Sequence, residues 1–216
     1  MINLSSLDIN NKNLVIRVDM NVPIKDGNIL DSTRIEASLP TIEYALKNNA
    51  KNLLISHLGR PIEGEYEESF SLKPVAKYLS KIVNEPCNVI DDLDSKSFFN
   101  KESNIQLLEN IRFFEGEKAN CKDLGAKLAS LGDIYVFDAF GTAHREQAST
   151  HSAIECAPVA CAGLLLQREN KFLSLALNNH ESPYVAVIGG AKVSSKLELI
   201  KHINSEADHI LSLIHI

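Results

Sequence analysis

The strongest constraint on the fold is the regular alternation of short apolar segments with longer amphipathic segments. The apolar segments have the length and composition of buried strands, and they cover residues 14–18, 52–56, 88–90, 105–108, 134–137, 184–188 and 207–214. Apolar residues at helical spacing occur after Ser32, a predicted helix cap, and at 73–83, 122–131, 164–177 and 194–202. Strands that alternate with helices of about 10–15 residues form a parallel, doubly wound sheet. The sequence therefore predicts a three-layer αβα fold.

The segment at 134–145, IYVFDAFGTAHR, indicates which kinds of side chain follow the predicted strands. It begins as an uncharged strand, breaks at Asp138, passes through Gly141 and ends on His144 and Arg145. Right-handed crossovers place the carboxyl ends of parallel strands on one edge of the sheet, where open α/β sheets bind ligands. We therefore expect basic side chains from several strand ends to converge there. These are Arg17, His57, Arg60, Arg112 and Arg145.

The sparing use of arginine points to an anionic ligand. Among the 22 basic residues, arginine occurs only at positions 17, 34, 60, 112, 145 and 168, so it marks places where a fixed, always-charged fork matters. Clustered cations repel one another unless an anion is present, and Asp19 and Asp138 offset only part of the charge. The expected ligand is a small polyanion such as a phosphorylated carboxylic acid. Asp19 and Asn21 can accept hydrogen bonds from its hydroxyl group.

Composition excludes several other classes of protein. The net charge of -6 argues against a broad surface for nucleic acid or membranes, and no apolar run approaches the roughly 20 residues that span a bilayer. The first residues lack the pattern of a signal peptide. The four cysteines show no CxxC spacing, which favours reduced thiols in a cytoplasmic protein over disulfides or a metal site.

A second anion site is predicted at 189–196, GGAKVSSK. A strand, two glycines and a helix N-terminus can bind an anion through backbone N–H groups and the helix dipole. Lys192 and Lys196 lie four residues apart, so they share a helix face and can reach a polyphosphate. The alternative is a glycine turn with solvated lysines. The segment matches neither the Walker A motif nor GxGxxG.

Several motifs together resemble those of the phosphoglycerate kinase family, in that family's order and spacing. The motifs are RVDMNVP at 17–23, SHLGRP at 56–61, LLENIRF at 107–113, DAFGTAHR at 138–145 and GGAKVSSK at 189–196. The resemblance runs from about Leu14 to Ile210. It implies a bilobal, Rossmann-like glycolytic transferase, a cytoplasmic monomer whose N-terminal lobe binds 3-phosphoglycerate and whose C-terminal lobe binds Mg-ADP or Mg-ATP. The reaction moves a phosphoryl group between ATP and the carboxylate of 3-phosphoglycerate, giving 1,3-bisphosphoglycerate and ADP.

The resemblance also implies roles for individual residues. Arg34 would lie nearest the carboxylate that gains the phosphoryl group, Lys192 would stabilise that group in transfer, and Lys196 would hold nucleotide phosphates. No residue of this chain is expected to bind the metal. The residues implied to bind phosphoglycerate are Asp19, Asn21, Arg34, His57, Arg60, Arg112 and Arg145.

The length of the chain departs from the family pattern. Family members are roughly twice as long, so we expect a complete phosphoglycerate-binding lobe with the interdomain helix at 1–178 and only the start of the nucleotide lobe at 179–216. Residues 211–216, LSLIHI, do not resemble the family's continuation and match translated sequencing adaptor. We expect such a chain to bind 3-phosphoglycerate without turnover.

Two alternatives remain open from the residues. One is a non-catalytic anion-binding α/β module. The other is a dehydrogenase, against which the absence of a glycine fingerprint after the first strand argues. Nucleotide binding distinguishes the three, because a kinase needs ATP, a dehydrogenase needs NAD and the binding module needs neither.

Overall fold

A computed structural model describes residues 1–93, 99, 103–178, 181–189 and 197–213. The chain divides into two compact units, Met1–Arg168 and Glu169–Ile216. Lys192 and Lys196, the predicted phosphate-binding lysines, lie outside the described residues.

The first unit contains a six-stranded sheet in which every pairing is parallel. The strands are β1 (Asn13–Val18), β4 (Lys51–Ile55), β5 (Cys87–Ile90), β6 (Ile105–Leu108), β7 (Ile134–Asp138) and β8 (Ala160–Ala162). Their spatial order is β5-β6-β4-β1-β7-β8. Strands β2 (Ile24–Lys25) and β3 (Asn28–Ile29) form a small antiparallel hairpin. The predicted parallel α/β sheet is confirmed.

Helices cover both faces of this sheet. They are α1 (Thr33–Lys47), α2 (Lys73–Val83), α3 (Lys122–Ala129) and α4 (Ala153–Cys156), with 3-10 turns at Leu4–Ser6, Glu68–Phe70, Ile111–Phe113 and Phe140–Thr142 and a π-helix at Ala148–Ser152. A fifth helix, α5 (Leu164–Asn178), begins in this unit, where Leu166 packs against Phe137 and Ala162. Apolar residues of α1 and α2 pack in one core cluster, and those of α3 and α4 pack in another.

The central strand β1 contributes to both clusters because side chains alternate across a strand. Leu14, Ile16 and Val18 belong to the cluster under α1 and α2, whereas Val15 belongs to the cluster under α3 and α4. Arg17 follows the same alternation, so its side chain is buried on the α3–α4 face. A buried guanidinium in a central strand needs polar partners on that face.

The cap of α1 differs from the prediction. Ser32 precedes the helix, but its side chain makes no capping bond, and its hydroxyl donates to Oε1 of Glu36 instead. Oδ1 of Asp31 accepts the backbone N–H of Thr33 at 2.9 Å. The capping oxygen therefore comes one residue earlier, because the Ser32 backbone is already helical, whereas an N-cap side chain acts from an extended backbone.

The second unit contains β9 (Val185–Gly189), α6 (Leu197–Glu206) and β10 (His209–Leu213). The two strands pair in parallel, as expected for a strand–helix–strand unit. Among the described residues, no helix has both the length and the apolar character needed to cross a bilayer.

Candidate functional site

The first strand places an acidic and an amide side chain at the carboxyl edge of the sheet. Oδ2 of Asp19 accepts a hydrogen bond from Nη1 of Arg34 at 2.8 Å, and Oδ1 of Asp19 accepts the backbone N–H of Asn21 at 3.2 Å. A Cβ on Gly141 would lie 3.3 Å from Oδ2 of Asp19. The loops after β1 and β7 are therefore adjacent, at the point where the strand order reverses direction and α/β sheets form ligand sites.

The loop after β4 is tied to both neighbours through Gly59. Its backbone N–H donates to Oδ1 of Asn21 at 2.9 Å, and its carbonyl accepts from Nη1 of Arg112. Gly59 has φ +59°, and an added Cβ would lie 2.2 Å from the Phe70 ring, so the position favours glycine on both grounds. Oδ1 of Asn21, which the sequence analysis expected to face a ligand hydroxyl, thus accepts a hydrogen bond from the loop after β4.

Asn110 joins the loop after β4 to the loop after β6. Its Oδ1 accepts the backbone N–H groups of Leu58 and Arg112, both at 3.1 Å. Its Nδ2 donates to the carbonyls of Leu58 at 2.8 Å and Phe70 at 3.0 Å. The side chain is fully buried, so all four bonds are made without water and fix the loop that carries His57 and Arg60.

A cavity of about 480 Å³ opens among these loops. Its lining comes from three loops and includes no carboxylate; the residues are Arg60, Arg112, Lys118, His144, Arg145 and Gln147. Among the described residues, neither Arg60 nor Arg145 has a carboxylate within ion-pair distance. The cavity is thus strongly basic, and its charge is suited to an anion.

The structure brings together the sequence-predicted residues in two layers. Arg60, Arg112 and Arg145 line the cavity, whereas Asp19, Asn21 and Arg34 form a bonded group beside it. Sequence reasoning missed Lys118 and Gln147 as lining residues. Lys118 carries no sequence signal, since lysine is the default cation of this chain, and only its bond from Nζ to the Pro61 carbonyl at 3.1 Å shows its orientation.

His57 is buried and neutral at the inner end of the site. Burial, followed by the charges of Arg17, Arg112, Arg145 and Arg34, lowers the pKa of its imidazole to about 2. Burial and the neighbouring Arg145 and Arg17 likewise lower the pKa of the Arg112 guanidinium. These shifts have one cause besides burial, the mutual repulsion of clustered cations, which a bound anion would relieve.

Arg17 does not line the cavity as expected. Its side chain is only 1% exposed, and its Nε donates to Oγ of Ser149 at 2.9 Å. Glu117, which the sequence analysis did not identify, lies in the same layer and attracts Arg17 electrostatically. Arg17 is therefore part of the support beneath the site, because the alternation of β1 directs it into the α3–α4 face.

Asp138 does not offset the charge of the cavity as expected. It is fully buried, and its Oδ1 accepts the backbone N–H of Leu166 at 2.9 Å, while Oγ1 of Thr41 accepts the N–H of Leu164 at 2.9 Å. Burial raises the pKa of the Asp138 carboxyl. The residue caps the N-terminus of α5, a common role for aspartate at a helix start.

In the described ranges, no group of three or more histidine, cysteine or acidic side chains is arranged to hold a metal ion. All four cysteines are free.

Comparison with known proteins extends the resemblance seen in the sequence. Residues 4–213 match the family described as phosphoglycerate kinase. The chain is 46% identical over 209 residues to the phosphoglycerate kinase of Francisella tularensis subsp. novicida, covering 96% of this chain and 53% of the relative. It is 48% identical over 208 residues to that of Desulfovibrio desulfuricans, with the same coverage, 96% and 53%.

Solved structures match equally well. The structure of phosphoglycerate kinase from Coxiella burnetii superposes with a TM-score of 0.88 at 44% identity, covering 98% of this chain and 54% of that one. The enzyme from Pyrococcus horikoshii superposes with a TM-score of 0.85 at 31% identity, covering 98% and 55%. The chain spans about half the length of the curated relatives it matches, 53% for those given above. From its amino-terminal motifs to its final described strand, this chain belongs to the phosphoglycerate kinase family.

Proposed function

We propose that residues 1–178 form the phosphoglycerate-binding lobe of a glycolytic kinase. That kinase transfers a phosphoryl group between ATP and the carboxylate of 3-phosphoglycerate, giving 1,3-bisphosphoglycerate and ADP. The observation that carries the proposal is the cavity lined by three arginines, a lysine and a histidine with no carboxylate among its lining residues. A phosphate dianion matches this charge, and arginine forks bind phosphate in a fixed orientation.

The residues beside the cavity suit the rest of the molecule. Oδ1 of Asp19 can accept a hydrogen bond from the hydroxyl group of 3-phosphoglycerate. Arg34, whose side chain is 55% exposed, can turn from Asp19 towards the carboxylate. His57 is neutral, so it can give the ligand a hydrogen bond but adds no positive charge. The lobe then acts by positioning and charge neutralisation, which is how enzymes of phosphoryl transfer work in general.

The nucleotide end of the reaction belongs to the second part of the chain in this proposal. Residues 179–216 would begin the nucleotide lobe, with Lys192 and Lys196 holding phosphates of Mg-ATP or Mg-ADP, which supplies or accepts the phosphoryl group. Both lysines lie outside the described residues, and no step is assigned to them. We expect the chain to be a cytoplasmic monomer that binds 3-phosphoglycerate without turnover by itself.

Calorimetric titration of the 216-residue chain with 3-phosphoglycerate tests the proposal, with inorganic phosphate and Mg-ATP titrated separately. We expect 3-phosphoglycerate to bind more tightly than phosphate, because Asp19 and Arg34 recognise the remainder of the molecule. Arg145→Gln should weaken binding about 10- to 100-fold, since one charge-assisted hydrogen bond contributes about 1.5–3 kcal/mol.

Lys12→Gln is the matched control. Lys12 is exposed and immediately precedes β1, so it lies about 20 Å from the carboxyl edge of the sheet. The control removes the same charge and should change affinity less than about twofold, because an exposed charge at that distance is screened. Equal weakening by both variants would show that net charge, and not the cavity, attracts the ligand. Binding and turnover of Mg-ATP would contradict the expected inactivity.

A further inference from the structure

A chain of buried hydrogen bonds lies beneath the anion cavity and ends on His57. The Ser149 hydroxyl donates to Oε1 of Glu117 at 2.6 Å, and the Ser149 backbone N–H donates to Oε2 at 2.9 Å. Nε of Arg17 donates to the Ser149 hydroxyl at 2.9 Å, and Nη2 of Arg17 lies 3.3 Å from Nδ1 of His57. All four residues are at most 1% exposed. We call this chain of four side chains the Glu117 relay.

The direction of every bond in the relay is determined by chemistry. A carboxylate only accepts hydrogen bonds and a guanidinium only donates them. The Ser149 hydroxyl must therefore donate to Glu117 and accept from Arg17. Nδ1 of His57 lies 3.3 Å from Nη2 of Arg17, which can only donate, and 4.0 Å from Oδ1 of Asp19, which is beyond hydrogen-bond distance. Nδ1 is therefore the acceptor, and the ring proton is on Nε2. The relay thus selects one of the two tautomers that a neutral imidazole can adopt.

The selected tautomer leaves a donor without a partner. Nε2 of His57 is buried and makes no hydrogen bond to any described residue. A buried N–H without an acceptor is unfavourable, so an acceptor supplied by a ligand is favoured at this atom. The surrounding arginines require that acceptor to be anionic, as the phosphate or carboxylate oxygens of 3-phosphoglycerate are.

Glu117 supplies the charge that keeps Arg17 in place. Arg17 lies among cations, including Arg145, and Glu117 makes the largest favourable electrostatic contribution to its charged form. The backbone of Glu117 also accepts the N–H of Ala148 at 2.9 Å, so the residue holds the π-helix that carries Ser149. Tyr135 completes the support, since its hydroxyl donates to the Ser149 carbonyl at 2.6 Å.

We propose that Glu117 and Ser149 are positioning residues that act through Arg17 to present the Nε2–H of His57 to the bound substrate. The inference rests on the proposed phosphoglycerate binding. It adds a specificity element, because a neutral N–H directed by the relay donates to an oxygen atom at only one place, whereas the arginines attract any anion.

The test compares Ser149→Ala with Ser152→Ala. Both serines are buried in the same π-helix, but the Ser152 hydroxyl bonds Asn120 and takes no part in the relay. The first measurement is the two-bond ¹H–¹⁵N spectrum of the chain without ligand, with the His57 signals assigned through His57→Gln. It reports the tautomer directly. The second is the affinity for 3-phosphoglycerate by calorimetry.

We expect the parent chain and Ser152→Ala to show His57 with its proton on Nε2. Ser149→Ala should give a mixed tautomer population and bind 3-phosphoglycerate about 5- to 10-fold more weakly, the effect of one weakened hydrogen bond. Glu117→Gln should act in the same direction, because an amide cannot accept at both positions. Unchanged tautomer and affinity in folded Ser149→Ala would overturn the proposal.

The two proposals fail in different ways. A relay-dependent tautomer in a chain that does not bind 3-phosphoglycerate would remove the proposed function and leave the relay intact. A parent chain with the proton on Nδ1 would overturn the relay whether or not any variant folds.

Discussion

Replacing Asn110 by aspartate should separate the roles of its four buried hydrogen bonds. The change keeps the shape of the side chain and the acceptor that binds the N–H groups of Leu58 and Arg112. It removes both donors, so the carbonyls of Leu58 and Phe70 lose their partners. The variant therefore tests whether this buried amide, and not merely a side chain of its size, holds the loop after β4 in place.

The expected loss follows from the two carbonyls. Each buried carbonyl left without a donor costs about 1–3 kcal/mol, so Asn110→Asp should lower the free energy of unfolding by about 2–6 kcal/mol. This is a large share of the roughly 5–15 kcal/mol that stabilises a typical domain. Burial should also raise the pKa of the new carboxyl above its unfolded value, so the folded state binds the proton more tightly and the loss should grow as the pH rises.

Urea unfolding of the whole chain, followed by circular dichroism at pH 5 and pH 7, measures this loss. Hydrogen exchange at the Leu58 and Arg112 amides locates it. Asn10→Asp is the matched control, because Asn10 is exposed in a turn before β1, and its stability should change by less than about 0.5 kcal/mol. Coincident unfolding curves for the two variants would refute the argument that Asn110 supports the loop.

Three further perturbations test the site and its support. Between pH 6.5 and 5, the free energy of unfolding of the parent chain should fall more steeply than that of His57→Gln, by up to about 1.4 kcal/mol per pH unit. The reason is that the imidazole binds a proton in the unfolded chain, whereas in the folded chain, with a pKa of about 2, it stays neutral. In thermal unfolding, Gly163→Ala should lower the free energy of unfolding by about 2–4 kcal/mol, since its Cβ would lie 2.3 Å from Cγ of Asp138. Gly27→Ala is the control. No atom lies within 4 Å of its Cβ, so it should lower the free energy of unfolding by only about 1 kcal/mol, from backbone strain alone. Gln147→Glu should raise the free energy of unfolding by about 1 kcal/mol and weaken 3-phosphoglycerate binding about 10-fold, because it places a carboxylate in the basic cavity. Equal pH slopes, equal glycine effects or unchanged binding would contradict the respective predictions.

The sheet could be predicted because its strands are short, apolar and separated by helical patterns. Helix α2 was predicted with the bounds that the structure gives, Lys73–Val83. Strand β8, Ala160–Ala162, was not predicted, since small residues carry little strand preference. It forms because β7 offers an unpaired edge, against which Ala160 and Ala162 pair with Tyr135 and Phe137. Tertiary pairing, and not local sequence, decides such an element.

The residues at the strand ends could be predicted from their charge, but the residues beneath them could not. Glu117 follows a glycine in a short acidic stretch, which reads as a solvated turn. Its burial depends on Ser149, which lies 32 positions further along the chain. Asn110 lies in the motif LLENIRF and was not singled out from the sequence. Its four hydrogen bonds depend on two loops whose approach is a property of the folded sheet.

The positions of the buried carboxylates explain why the positive charge of the cavity lining is not neutralised. The buried carboxylate of Glu117 lies with Arg17, behind the cavity, and Asp138 is engaged at the N-terminus of α5. Neither reaches the lining, where Arg60, Arg112 and Arg145 stay unneutralised by any lining carboxylate. A carboxylate among them would stabilise the folded chain and compete with the ligand for the same donors. In the proposed function, the repulsion that remains favours anion binding, because an anion would relieve a cost that the fold itself maintains.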